Sequence, residues 1–224
     1  MRNTRNPNQM IVEGWDDAHS VVGLMKHHVD WPREEHLWPV HIHMGNGAEE
    51  ILKDGVLTTY LRGSTVKIFG VMLDADAKPG GRYDSIRNLC AAIFPNLPKN
   101  LAKDGIVVEN SAGQRFGVWI MPDNATEGCL ENFLKLLVPV ECKPVWDHAE
   151  DSLKNAKRLG CNLAGNDFVK AVLYTWLAWQ ETPGQSPGIA LTKKVLDPTN
   201  PAATSFVDWF RKLYQLQQKT LLFP

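Results

Sequence analysis

The sequence predicts an α/β protein, a mostly parallel sheet flanked by helices and followed by a C-terminal helical extension. Three observations carry that prediction. Over the first two thirds of the 224 residues, short apolar runs alternate with longer amphipathic segments, the pattern of strands and helices in turn. Two of those runs, IVE at 11–13 and KIFGVMLD at 67–74, end directly in acidic residues. Beyond Pro144 the strand-like runs cease and the remaining chain reads as helices.

Residues 9–13 form the first expected strand. Asp16 or Asp17 caps a helix whose apolar positions Val21, Val22, Leu24 and Met25 carry it to about His28, before Pro32. A second strand follows at 40–44; Gly45-Asn46-Gly47 then turns the chain into a short helix at 48–52, with Gly55 as its stop. The run 66–73 is the third strand, and 83–94 a helix closed by Pro95. Residues 105–108 and 116–121 pair as a hairpin around Asn110-Ser111-Ala112-Gly113, and a helix begins at 131–137. Helices are expected near 147–158, 167–180, 189–195 and 203–217, with a turn-rich, mobile loop at 182–188. Trp176, Trp179 and Trp209 stand at helical spacing with Leu177, Phe206, Phe210 and Leu213, which favours core packing over a base-stacking platform.

A chain with 44% hydrophobic and 22% charged residues buries one core, divided here into an α/β domain at 1–144 and an extension at 145–224 packed on the same core. The N-terminus is positively charged without a following apolar stretch, and no run reaches the roughly eighteen apolar residues of a membrane span. A soluble, cytoplasmic protein without membrane contact is expected. Cys90, Cys129, Cys142 and Cys161 show no paired metal-ligand spacing and are expected as reduced, buried thiols. The formal charge of -1 excludes a global attraction to nucleic acid, so any such contact is local.

In a parallel sheet the strand C-termini share one edge, where ligands bind. Both acidic clusters fall there. In extended chain Asp74 and Asp76 project to the same side, and like charges so close call for a shared proton, a cationic side chain or a divalent metal such as Mg²⁺ or Mn²⁺. The alternative is that Asp74 ends a strand, Asp76 caps a turn, and Lys78 or Arg82 neutralises them. Glu13 stands likewise at a strand end, and two acidic strand ends together concentrate negative charge that a cation must answer. For Asp16 a helix-capping role is the preferred reading.

A strand ending in Glu13-Gly14 followed later by one ending in Asp74-Ala75-Asp76 resembles the Toprim domain, shared by topoisomerases, bacterial primases, RecR-like recombination proteins and OLD-type nucleases. More closely, the chain resembles the small stand-alone Toprim-like proteins of unknown function related to the OLD nucleases. GVWIMPDNATEGCLENFL at 117–134 and VLYTWLAWQETPGQSPG at 172–188 also have counterparts in them. The resemblance implies a Rossmann-like Toprim sheet and a metal-dependent nuclease. It implies Glu13 as general acid or base or as metal ligand, and Asp74 and Asp76 as ligands of Mg²⁺ or Mn²⁺. It adds Asp17 and Glu131 to the metal site and Lys170 as a catalytic cation. DNA or RNA is the expected substrate. Many OLD proteins carry an ATPase; no Walker-type glycine loop is present here, so any ATPase partner would be a separate polypeptide, and a homodimer is compatible with the family. Topoisomerases also need a tyrosine nucleophile on a separate domain, and these residues are not expected to supply one.

Two other functions stay open on the residues: a Toprim-like module that binds metal, nucleic acid or a partner without turnover, and a phosphatase of the haloacid dehalogenase type. The latter usually has its Asp-x-Asp on the first strand with Thr or Val two residues on, where this chain has Lys78. His36, His41 and His43 lack a clearly spaced third partner for zinc. Lys154, Lys157, Arg158, Lys193, Lys194, Arg211 and Lys212 read as solvated faces.

Overall fold

The computed structural model describes residues 6–219. Its centre is a five-stranded sheet in the order β2-β1-β3-β5-β4, built from β1 (Asn8–Val12), β2 (His41–Met44), β3 (Ile68–Asp74), β4 (Ile106–Glu109) and β5 (Arg115–Met121). β2, β1, β3 and β5 run parallel, and β4 closes the edge as an antiparallel hairpin with β5. The alternation of β3 assigns its two faces. Phe69, Val71 and Leu73 join one apolar cluster with α2 (Ala48–Ile51), α3 (Val56–Leu61) and α4 (Pro79–Cys90). Ile68 and Met72 join the other, with α1 (Trp15–Met25), α5 (Leu130–Leu136), α6 (Lys143–Arg158), α7 (Phe168–Ala178), α8 (Pro187–Thr192) and α9 (Thr204–Tyr214). The result is helices on both faces of a mostly parallel sheet, as the alternating pattern predicts.

The differences from expectation have local causes. Gly55 does not simply end a helix: at φ +84° it precedes a second one, α3, and a left-handed position of that kind favours glycine. α4 starts four residues early because Pro79 occupies its first turn, where a missing N–H costs nothing, and Pro144 likewise sits inside the first turn of α6. α9 stops at Tyr214 because Gln215 turns left-handed. Of the four cysteines only Cys90 is buried; Cys129 and Cys142 are half-buried and Cys161 is exposed, all free. Trp176 and Trp209 are core residues, but Trp179 is exposed. The 182–188 loop tucks Gln185, Pro187 and Gly188 inward, and Gly188 lies so close to His19 that a Cβ would fall 2.4 Å from the His19 carbonyl oxygen. No helix among the described residues is long and apolar enough to cross a membrane.

The C-terminal helices supply close to half of the apolar cluster on one face of the sheet. Gly70 and Gly117 are register partners on β3 and β5, and together they leave a bare patch of sheet on which α9 lies. A Cβ on Gly70 would sit 2.4 Å from the Tyr214 hydroxyl oxygen, and one on Gly117 would sit 2.5 Å from Leu213 Cδ2. The Tyr214 hydroxyl is buried there and donates to the Gln9 carbonyl at 2.8 Å, so it has nowhere to retreat. Gly70→Ala is therefore expected to cost about 1–3 kcal/mol by overpacking, lowering Tm by roughly 2–4 °C per kcal/mol, whereas Gly80→Ala, where a Cβ meets open space, is not. Thermal melts of the two variants side by side check this.

Candidate active site

The parallel strands end around a cleft of about 800 Å³. Glu13 follows β1 immediately, and its carboxylate is held by backbone amides from two neighbouring segments. Oε1 accepts from Asp74 N–H at 2.8 Å, at the end of β3, and Oε2 from Ala48 N–H at 3.2 Å, at the start of α2. Asp74 repeats the device one strand further on, its Oδ1 accepting from Leu130 N–H at 2.9 Å at the start of α5. Carboxylates at helix starts are favoured by the unpaired amides there. Here the same bonds tie the ends of β1 and β3 to the segments after β2 and β5.

Asp17 adds a third carboxylate from α1. Its Oδ2 accepts from Gly14 N–H at 3.0 Å, so of the two expected candidates for the cap it is Asp17 that bonds a backbone amide at the start of α1. Asp16 instead accepts a hydrogen bond from the Tyr174 hydroxyl on α7. Glu131, on the first turn of α5, is buried, and Lys170 Nζ stands 3.7 Å from its Oε1. α7 thus brings Lys170 and, one turn later, Tyr174 from the C-terminal segment to the acidic cluster.

Asp76 departs from the extended geometry expected of Asp-x-Asp. It adopts φ +50°, pairs its backbone with Gly128 at 3.0 and 2.9 Å, and turns its carboxylate to Arg82 while remaining 62% exposed. The left-handed residue breaks the alternation that would have placed it beside Asp74. Asp76 still lines the cleft.

The electrostatics follow from this crowding. Asp74 is pushed up to about 9, first by burial and then by the charges of Asp17, Glu13 and Glu131, against the opposing Leu130 N–H. Asp17 is pushed up to about 7 by burial and by Glu13, against its bond to Gly14 N–H. Glu13 is raised by burial, opposed by the Asp74 N–H and by Arg82. Among the described residues, eight carboxylates and one lysine, Lys170, line the cleft. Such a set either keeps protons or takes a cation, and all-oxygen donors suit a hard divalent ion. Among the described residues no three His, Cys, Asp or Glu side chains already surround one point as a formed metal cluster. The donor chemistry fits Mg²⁺ or Mn²⁺, with side-chain rotation, above all of Asp76, needed to close a shell.

Several residues of the site were not singled out in the sequence, among them Tyr174, Trp15 and Glu35. Tyr174 lies four positions beyond Lys170, the spacing that puts both on one helix face, and that spacing is the signal that could have found it. Trp15 sits inside the GWDD stretch as an exposed indole on the cleft wall. Glu35 lines the cleft from a 3₁₀ turn with no strand-end pattern to mark it.

The family described as "Protein of unknown function (DUF3226)" matches residues 7–215 of the chain. No curated protein and no solved structure matches it.

Proposed function

The chain belongs to the DUF3226 family, and we propose that it is a metal-dependent phosphoryl-transfer enzyme acting on nucleic acid, a nuclease on a Toprim-type sheet like that of the OLD nucleases. The observation that carries this reading is the mutual repulsion of Glu13, Asp17, Asp74 and Glu131, which come from separate segments and meet at the sheet edge with little fixed counter-charge. The backbone bonds of Glu13, Asp74 and Asp17 brace the strand ends and α1, but bracing alone does not call for four carboxylates at one place. Glu13, Asp17, Asp74, Asp76 and Glu131 would hold Mg²⁺ or Mn²⁺. When bound, such an ion neutralises phosphoryl oxygens and acidifies water.

The chain's own groups supply the rest. Glu13, held by two backbone amides at a fixed strand end, is oriented to take or give a proton at the cleft floor. Lys170, half-exposed on α7, is placed to meet charge developing on a phosphate. Arg82 holds Asp76 aside. Because the cleft is acidic, a polyanionic DNA or RNA enters it only with cations present, which makes ion binding a precondition of substrate binding. A separate ATPase as partner belongs to the same reading.

Purified protein is expected to nick or degrade some member of a panel of single- and double-stranded DNA and RNA in Mn²⁺ or Mg²⁺, and chelation is expected to stop it. Glu13→Gln and Asp76→Ala should each reduce turnover by roughly 100-fold or more, with the double variant hardly worse, since members of one catalytic unit are non-additive. Lys170→Ala should slow turnover while leaving the metal-induced rise in Tm intact. Intact substrates together with a metal-induced rise in Tm would favour the non-catalytic metal-binding module. Activity indifferent to Asp76→Ala would identify a contaminant.

A further inference from the structure

We infer that Trp15 is a stacking platform for an unpaired nucleobase, so that the cleft takes single-stranded or locally unpaired nucleic acid; the inference rests on the nucleic-acid reading above.

The chain has eight tryptophans, and Trp31, Trp119, Trp146, Trp176 and Trp209 are buried, as this residue type normally is. Trp15 is 61% exposed, and it lies on the wall of the acidic cleft, between Glu13 and Asp16 in the chain. The other strongly exposed tryptophan, Trp179, packs against His148 and does not line the cleft. At the first position of α1, where any polar residue would serve, a large apolar ring left in water calls for a ligand.

The ring is also supported from behind. The His19 imidazole lies 3.9 Å from the indole, centroid to centroid, tilted by 38°. The His19 backbone packs closely against α8, where a Cβ on Gly188 would fall 2.4 Å from the His19 carbonyl oxygen. The outcome is a supported planar surface with exposed area toward the cleft. A nucleobase matches it: flat, uncharged, and attached to the phosphate that the cation-loaded carboxylates would engage. Base–aromatic stacking is sequence-tolerant and needs the base out of its duplex.

The test uses full-length protein with Ca²⁺ and a fluorescently labelled short oligo-dT, read by anisotropy. A matched oligonucleotide carrying abasic positions is measured alongside. Trp15→Ala and Trp15→Leu, the second keeping apolar bulk without a ring, are each expected to weaken oligo-dT binding about tenfold, while Trp15→Phe retains most of it. Abasic positions should weaken the wild type and leave Trp15→Leu nearly unchanged. The metal-induced rise in Tm, measured on each variant, confirms that it is folded and that the carboxylates still bind. Tight oligo-dT binding that Trp15→Leu does not weaken overturns the stacking role alone. Failure of the wild type to bind any oligonucleotide overturns the nucleic-acid reading and the stacking role with it, and capture of a protein segment by Trp15 in that case would assign the ring to another class of partner.

Discussion

With divalent ions chelated, Asp74→Asn is expected to raise the Tm of the protein, and the gain should grow as the pH rises. The sign follows from linkage. In the unfolded chain Asp74 ionises near its ordinary value of 3.8, whereas in the fold it is pushed up to about 9. The folded state therefore keeps a proton that the unfolded state releases. The stability tied to that proton is fully present below about pH 3.8 and is lost as the pH climbs through about 9. Asp17, pushed up to about 7, acts in the same direction over a narrower window. Each pH unit in which only the unfolded carboxylate is ionised costs up to about 1.4 kcal/mol, or roughly 2–4 °C of Tm in a chain of this size. Asparagine at 74 removes the titration, keeps an acceptor for Leu130 N–H, and offers Asp17 and Glu13 a donor. A pH series of melts in chelator should show a falling wild-type Tm and a flatter variant. Adding Mg²⁺ at alkaline pH should restore the wild type and leave the variant nearly unmoved. A variant less stable than wild type at every pH would make Asp74 a structural carboxylate.

The carboxylates could be read from the sequence because a strand end is a place where charge is conspicuous: Glu13 and Asp74 each close an apolar run, and the parallel order puts both at one edge. Their partners were not readable. Nothing in the spacing says that Glu13 accepts from the amide of Asp74, or that Leu130 N–H meets Asp74, because these bonds join residues 61 and 56 positions apart. The left-handed turn at Asp76 was hidden for a related reason. The backbone pairing with Gly128 accompanies it, and an Asp tolerates that conformation without advertising it. Exposed residues such as Trp15 carry no periodic signature, so only the cleft gives them meaning.

The strands were legible for the opposite reason. A buried parallel strand is apolar on both faces, which makes β3 and β5 stand out as continuous runs, and β4 was marked by its hairpin turn. The helix boundaries slipped where proline and glycine take permissive positions: Pro79 and Pro144 in first turns, Gly55 between two helices. What the pattern understated was the bond between the two parts of the chain. Gly70 and Gly117, glycines inside two buried strands, are the flat seat for Leu213 and Tyr214.

That seat makes the boundary at residue 144 a change of pattern and not a place to cut. A chain ending there is expected not to fold. It would lose Leu173, Trp176, Leu177, Phe206, Trp209, Phe210, Leu213 and Tyr214, all buried in the cluster that covers one face of the sheet. Full burial of each such side chain stabilises by roughly 1.5–3 kcal/mol, so losing even four removes on the order of 6–12 kcal/mol, comparable to the whole net stability of a typical domain. The cut would also expose Met10, Met72 and Trp119, and would strip Ile106 and Gln9 of the buried hydrogen bonds that their carbonyls receive from Trp209 and Tyr214. The expected result is a 1–144 fragment that aggregates, or that shows helix and strand signals by circular dichroism without a cooperative melt. A soluble fragment that melts cooperatively would sink this account. If it also gained stability from Mg²⁺, it would show that the carboxylates need neither Lys170 nor Tyr174 to gather an ion, and α7 would then serve the substrate rather than the metal.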